Sequence, residues 1–188
     1  TIRNNGTVVA LAEYRRGPLA LSRSLFTLLV RAGVGAGYVV DGIPSGSVGR
    51  SAFEVAHVPT RIGSALCPCG AKGCLETVLS EDALLDAARQ DSMQALASAI
   101  EKGDRAALDS LGPAVEACAD LLVAVRQMLF PEAFSIVTRS AALSSLLAQG
   151  VKRVFAARRI DAKVAGSVWD PTSSCRAACE LVYDSYFA

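Results

Sequence analysis

The spacing of apolar residues divides the chain into short units. Val8, Val9, Leu11 and Ala12 recur at helical intervals between Asn4 and Arg16, and Gly17-Pro18 ends that helix. Leu25–Val30 (LFTLLV) is an unbroken apolar run of strand length, as expected for a strand covered on both faces. Gly33, Gly35 and Gly37 read as a turn, with Tyr38–Val40 as a second strand. Asp41-Gly42, a strong hairpin pair, makes the two strands antiparallel neighbours. From Pro44 to Gly73 periodicity fades among Gly, Ser and Pro; a loop that long is usually functional or clipped by a metal.

Helical spacing then dominates from Leu75 to Phe130, with Ser80-Glu81-Asp82 as a cap, Gly103-Asp104 as a break and Pro113–Leu129 as the longest helix. Phe134–Thr138 reads as a strand, Ala141–Gln149 as a helix, Val154–Ala156 and Lys163–Gly166 as short strands, and Ser174–Tyr186 as a closing helix. Strands alternating with helices after an antiparallel pair predict a mixed α/β layer architecture.

Composition narrows the function. Hydrophobic residues make up 52% of the 188 positions and charged residues 20%, enough apolar material for a buried core. Net charge is +1, from 19 Lys and Arg against 18 Asp and Glu, without the basic excess of a nucleic-acid surface. The basic pairs Arg15-Arg16, Lys152-Arg153 and Arg158-Arg159 read as solvated faces. No apolar run approaches the roughly 20 residues of a membrane helix. The chain starts at Thr1 with neither methionine nor secretory signal, which suggests a fragment.

Six cysteines permit three disulfides, but three of them crowd into Cys67-Pro-Cys69-Gly-Ala-Lys-Gly-Cys74. That clustering suits a metal site in a reducing compartment, so a cytoplasmic location is expected. Zinc takes four ligands at tetrahedral corners, and Gly70 and Gly73 give the backbone freedom to return Cys74 to an ion held by Cys67 and Cys69. His57, the only histidine, is the candidate fourth ligand; alone it would read as a surface residue. A site closed by four protein ligands is structural. Cys118, Cys175 and Cys179 read as buried thiols on helices.

The segment Glu54-Val-Ala-His57, followed after nine residues by CPCGAKGCLE, resembles the signature of the repressor–ORF–kinase (ROK) family. NNGTVVALAEYRRG resembles that family's active-site helix, AGVGAGYVVDG its phosphate hairpin and FPEAFSIVTRSAALSS its adenosine-side segment, in family order. The resemblance implies an actin-like, ribonuclease H-like fold. Residues 1–188 would form the C-terminal lobe with its zinc loop at about 54–76, lacking the N-terminal lobe and any DNA-binding domain. It implies sugar contacts from Asn4, Glu54, His57 and Glu76, with His57 also ligating zinc.

The kinase pattern is altered. Asn5 stands where the family's enzymes have an aspartate acting as general base, and an amide cannot take up a proton. Arg31-Ala32 replaces a glycine-threonine pair at the phosphate hairpin; Arg31 either binds a phosphate or is merely solvated. Thr138-Arg139-Ser140 replaces paired glycines at the adenosine side, and Phe53 and Ala56 replace glycines beside the sugar contacts. The expectation is a non-enzymatic, sugar-sensing effector and dimerisation domain of a ROK regulator. It would bind a sugar or sugar derivative, meet DNA through a domain outside this chain, form a homo-oligomer and lie off the membrane. An ATP-dependent sugar kinase and a ligand-free interaction module are the alternatives.

Overall fold

The computed structural model describes residues 5–20, 22–45 and 53–187, for 184–187 the backbone only. Five strands, β1 (Ser24–Val30), β2 (Val34–Val40), β3 (Ile43–Pro44), β4 (Ala133–Thr138) and β5 (Lys163–Val168), form one sheet in the order β3-β2-β1-β4-β5. β1 pairs antiparallel with β2 and parallel with β4, and β4 pairs parallel with β5. The sheet is mixed, as the sequence pattern predicts.

Helices cover both faces. Phe26, Leu28 and Val30 of β1 share a core with Phe134 and Ile136 of β4 and with α6 (Gly112–Leu129) and α7 (Ala141–Ala157). Leu29 and Val137 point the other way, toward Val9 of α1 (Asn5–Arg16), and Val39 packs with Ala10 and Leu11. Ala177 of α8 (Pro171–Phe187) closes that second layer. Alternate residues of one strand thus enter opposite cores, so β1 had to be apolar throughout.

The sequence reading needs four corrections. Leu25 does face Val39 across an antiparallel pair, but the β1–β2 connection is Arg31–Gly33. Asp41-Gly42, with φ of 48° and 82°, instead turns β2 into the two-residue β3, which was too short to show a pattern. Gly35 and Gly37 lie within β2 rather than in a turn. A methyl group on Gly37 would meet Gly6 O and Ala10 Cβ, so this glycine exists for the close approach of α1.

Val154–Ala156 is helical, part of α7. Leu143, Leu147, Val151 and Phe155 recur every fourth residue and are all buried, a stripe that carries the helix past its expected end at Gln149. Cys118 is buried in α6 as expected, but Cys175 and Cys179 are exposed, because α8 packs through Ala177 on its opposite side.

The helical run from Leu75 resolves into α2 (Glu76–Leu79), α3 (Glu81–Ala88), α4 (Met93–Glu101), α5 (Arg105–Ser110) and α6. Its expected punctuation holds. Ser80 Oγ accepts from Ala83 N at 3.3 Å to cap α3, and Gly103, at φ 69°, precedes Asp104, whose Oδ1 accepts from Ala106 N and Ala107 N. No helix among the described residues is long and apolar enough to cross a membrane.

Candidate functional site

The cysteine loop leaves a single turn of 3-10 helix at Val55–His57 and returns through two short bridges, Leu66 opposite Lys72 and Pro59 opposite Cys74. Cys67 N donates to Ala71 O at 2.8 Å and Gly70 N to Cys67 O at 2.9 Å, closing a tight knuckle around Cys67-Pro-Cys69. Gly70 and Gly73, at φ of 92° and 72°, take the left-handed conformations that the sequence assigned them. A methyl group on Gly73 would also strike Gly63 O, so the outgoing and returning chains pass too closely for any other residue.

That knuckle brings His57, Cys67, Cys69 and Cys74 together, their ligand atoms all within 4.8 Å of one another. Cys67 Sγ lies 3.6 Å from His57 Nδ1, and Cys69 Sγ 3.6 Å from Cys74 Sγ. Sulfurs bound at about 2.3 Å to one tetrahedral zinc lie about 3.8 Å apart, whereas a disulfide needs about 2.05 Å. The spacing therefore fits a shared ion and not a cystine. Electrostatics agree: desolvation, reinforced by neighbouring thiols, pushes the Cys74 thiol up to about 12. Hydrogen bonding from the Ala71 backbone, and then from Cys67 and Cys74, lowers that of Cys69. Three adjoining thiols cannot all ionise without a cation among them. The group can hold a metal ion.

A cavity of about 360 Å³ lies beside this loop, lined by Asn5, Arg31, Gly33, Gly35 and Glu76 among others. Glu76 opens α2, and its Oε2 accepts a 3.3 Å hydrogen bond from Val34 N, tying the carboxylate to the β1–β2 turn. Of the three expected sugar contacts among the described residues, only Glu76 lines the cavity. Glu54 is exposed just before the 3-10 turn, His57 sits at the metal group, and Asn4 lies outside the described residues. Asn5 starts α1 and faces the cavity mouth.

The C-terminal ends of the parallel strands β1, β4 and β5 meet at this edge, where open α/β sheets bind ligands. Here they hold side chains. The Arg31 guanidinium stacks 3.7 Å from the centroid of the Trp169 ring. Burial, and then the nearby Arg139, lowers the Arg31 pKa, while Glu81 acts in the opposite direction. Arg139 Nε pairs with Glu81 Oε1 at 3.2 Å. Sequence reasoning singled out Arg31 and Arg139 but missed Trp169 and Glu81. The chain's one tryptophan, directly after an apolar strand, was the available signal.

Residues 1–164 match the ROK family. The chain is 30% identical over 134 residues to the kanosamine kinase of Amycolatopsis mediterranei (strain S699), covering 69% of this chain and 43% of the kinase. It is 29% identical over 110 residues to the DNA-binding transcriptional repressor Mlc of Escherichia coli (strain K12), covering 58% of this chain and 27% of the repressor. The chain thus spans less than half the length of either curated relative. The solved structure of a ROK family transcriptional regulator, a homologue of the E. coli MLC protein, superposes with a TM-score of 0.80 at 22% identity, over 96% of this chain and 52% of that one. At that identity the likeness speaks for the fold. Kinases and repressors both stand among the relatives, and the mixed sheet with flanking helices is the fold they share. This chain belongs to the ROK family.

Proposed function

We propose that the chain is the C-terminal lobe of a cytoplasmic ROK transcriptional regulator, a non-enzymatic domain that senses a sugar and dimerises. The observation that carries this reading is Asn5 at the mouth of the cavity. A carboxylate there could take the proton from a sugar hydroxyl; the amide offers no basic lone pair, so general-base catalysis at that position is lost. The Arg31–Trp169 stack and the Arg139–Glu81 pair support the reading, since they occupy the strand ends where a nucleotide would need room.

His57, Cys67, Cys69 and Cys74 hold the metal, which we take to be zinc because three thiolates and an imidazole suit that ion. When bound, zinc supplies charge neutralisation for the thiolates and a rigid anchor for the loop between Glu54 and Glu76. With the metal held by its Nδ1 side, His57 would keep Nε2 for a sugar hydroxyl. Glu54, Glu76 and Asn4 add carboxylate and amide partners for its hydroxyls. The sugar acts by binding one arrangement of the two lobes better than the other, which changes DNA affinity through the domain that precedes this lobe.

The kinase reading is favoured by the kinases among the relatives, including the kanosamine kinase at 30% identity. The two readings part in a coupled assay with ATP and a panel of hexoses and amino sugars. The regulator shows no turnover but binds a sugar by calorimetry; turnover on any of them would overturn the proposal.

A further inference from the structure

We infer that the groove between the loop at residues 58–62 and α6 is a second ligand site, which takes an amphipathic organic acid, an apolar body carrying one carboxylate. The groove encloses about 360 Å³. Small-molecule sites span about 300–1,000 Å³. None of the residues lining the groove lines the cavity beside Asn5, so the two sites are separate.

Two kinds of wall meet there. Val58, Ile62, Leu75, Leu121 and Ala124 form an apolar side. Val58 stays 40% exposed, although Leu75 and Leu121 on the same wall are buried. An apolar body laid against that side chain frees the water over it. The polar side is Arg61, Asp120 and Arg158, the last directly after α7.

Charge selects the head group. Asp120 lies between the two guanidiniums but does not serve them equally. Its Oδ2 accepts from Arg61 at 2.6 Å, whereas its Oδ1 is 3.7 Å from Arg158, beyond hydrogen-bond distance. Glu116, one turn earlier on α6, is exposed, acts on Arg61 and does not line the groove. The lining therefore holds two guanidiniums against one carboxylate, and that carboxylate is already engaged by Arg61. Arg158 is the surplus cation, with 51% of its side chain open to an incoming group. A planar fork of donors beside an apolar wall matches a carboxylate on an apolar body.

NMR titration of the protein compares phenylacetate with its neutral amide, phenylacetamide, and with acetate, which lacks the apolar body. Phenylacetate should shift the amide signals of Arg61, Ile62 and Ala124. It should bind about 3- to 5-fold more tightly than phenylacetamide, the scale of a half-exposed ion pair. Acetate should leave those signals in place. Arg158→Gln should abolish the preference for the acid, while Arg158→Lys keeps part of it and guards against a folding defect. Ala124→Leu, which fills the groove, should weaken both aromatic ligands. Equal binding of acid and amide, a preference that survives Arg158→Gln, or shifts confined to other residues overturns the inference. So does a failure of phenylacetate to bind; if Ala124→Leu then splits an oligomer by light scattering, the groove is instead an interface between copies of this chain.

Discussion

Glu13 is a carboxylic acid inside the protein. It sits in α1 with 8% of its surface exposed, accepting hydrogen bonds from Ser135 Oγ at 2.6 Å and Ser167 Oγ at 2.9 Å. Desolvation raises its pKa above the ordinary carboxylate value, against the opposing effect of the two hydroxyls. A raised acid binds its proton more tightly in the folded state, so its effect on stability is nil well below pH 4.5 and increasingly unfavourable as pH climbs toward the folded value. Glu13→Gln keeps a polar partner for both serines and cannot ionise. The stability of the natural chain relative to this variant should therefore fall as pH rises from about 4.5, read as the difference between urea midpoints from pH 4 to pH 8. A flat difference would show that burial does not act on this group. The sequence showed a glutamate amid apolar helix positions, but its serine partners, 122 and 154 residues away, appear only once the sheet is folded.

At the level of elements, α7 depends on how closely it meets α6. Gly150 is buried in the middle of α7, and a methyl group there would collide with Val115 Cγ1 of α6. Alanine in place of a helical glycine normally gains about 1 kcal/mol, but overpacking a tight contact costs about 1–3 kcal/mol. Gly150→Ala should thus lower stability by about 1–2 kcal/mol, and Val115→Ala in the same chain should recover much of the loss. Denaturant titration of both variants checks this, and an unchanged midpoint for Gly150→Ala would mean the helices yield. Leu147, 1% exposed on the same helix, is a plainer case: Leu147→Ala should cost about 2–5 kcal/mol. The four-residue stripe ending at Phe155 was present in the sequence, yet the local Val-Phe-Ala triplet read as strand because three residues cannot distinguish the two periods.

For the whole molecule, the proposed metal group is what would make the long loop part of the fold. Cys67 and Cys74 are 2% and 1% exposed, so the loop is pinned to the body at both ends of the knuckle. Elemental analysis should find one zinc per chain, lost in Cys67→Ser and Cys74→Ser. Chelation should lower the thermal midpoint and open the loop to proteolysis, since binding energy at such a site is folding energy. Zinc retention should also weaken as pH falls, because each thiol must lose a proton to bind and acid restores it. Full retention of metal in Cys67→Ser, or a melting curve indifferent to chelator, would remove the proposed anchor.

Sequence alone determined what depends on local chemistry. Cys67-Pro-Cys69-Gly-Ala-Lys-Gly-Cys74 displayed its candidate ligands and its turns within eight positions, and the unbroken apolar run of β1 required a strand covered on both sides. That Asn5 carries an amide with no basic lone pair was equally plain, because one residue's chemistry sufficed. Tertiary structure decided what depends on residues far apart in the chain: β4 beside β1, Glu13 beneath Ser135 and Ser167, and Trp169 laid over Arg31. Those partners are separated by more than 100 residues, and their meeting depends on strand order and on which side chains alternate to each face. Spacing along a chain carries no record of that geometry.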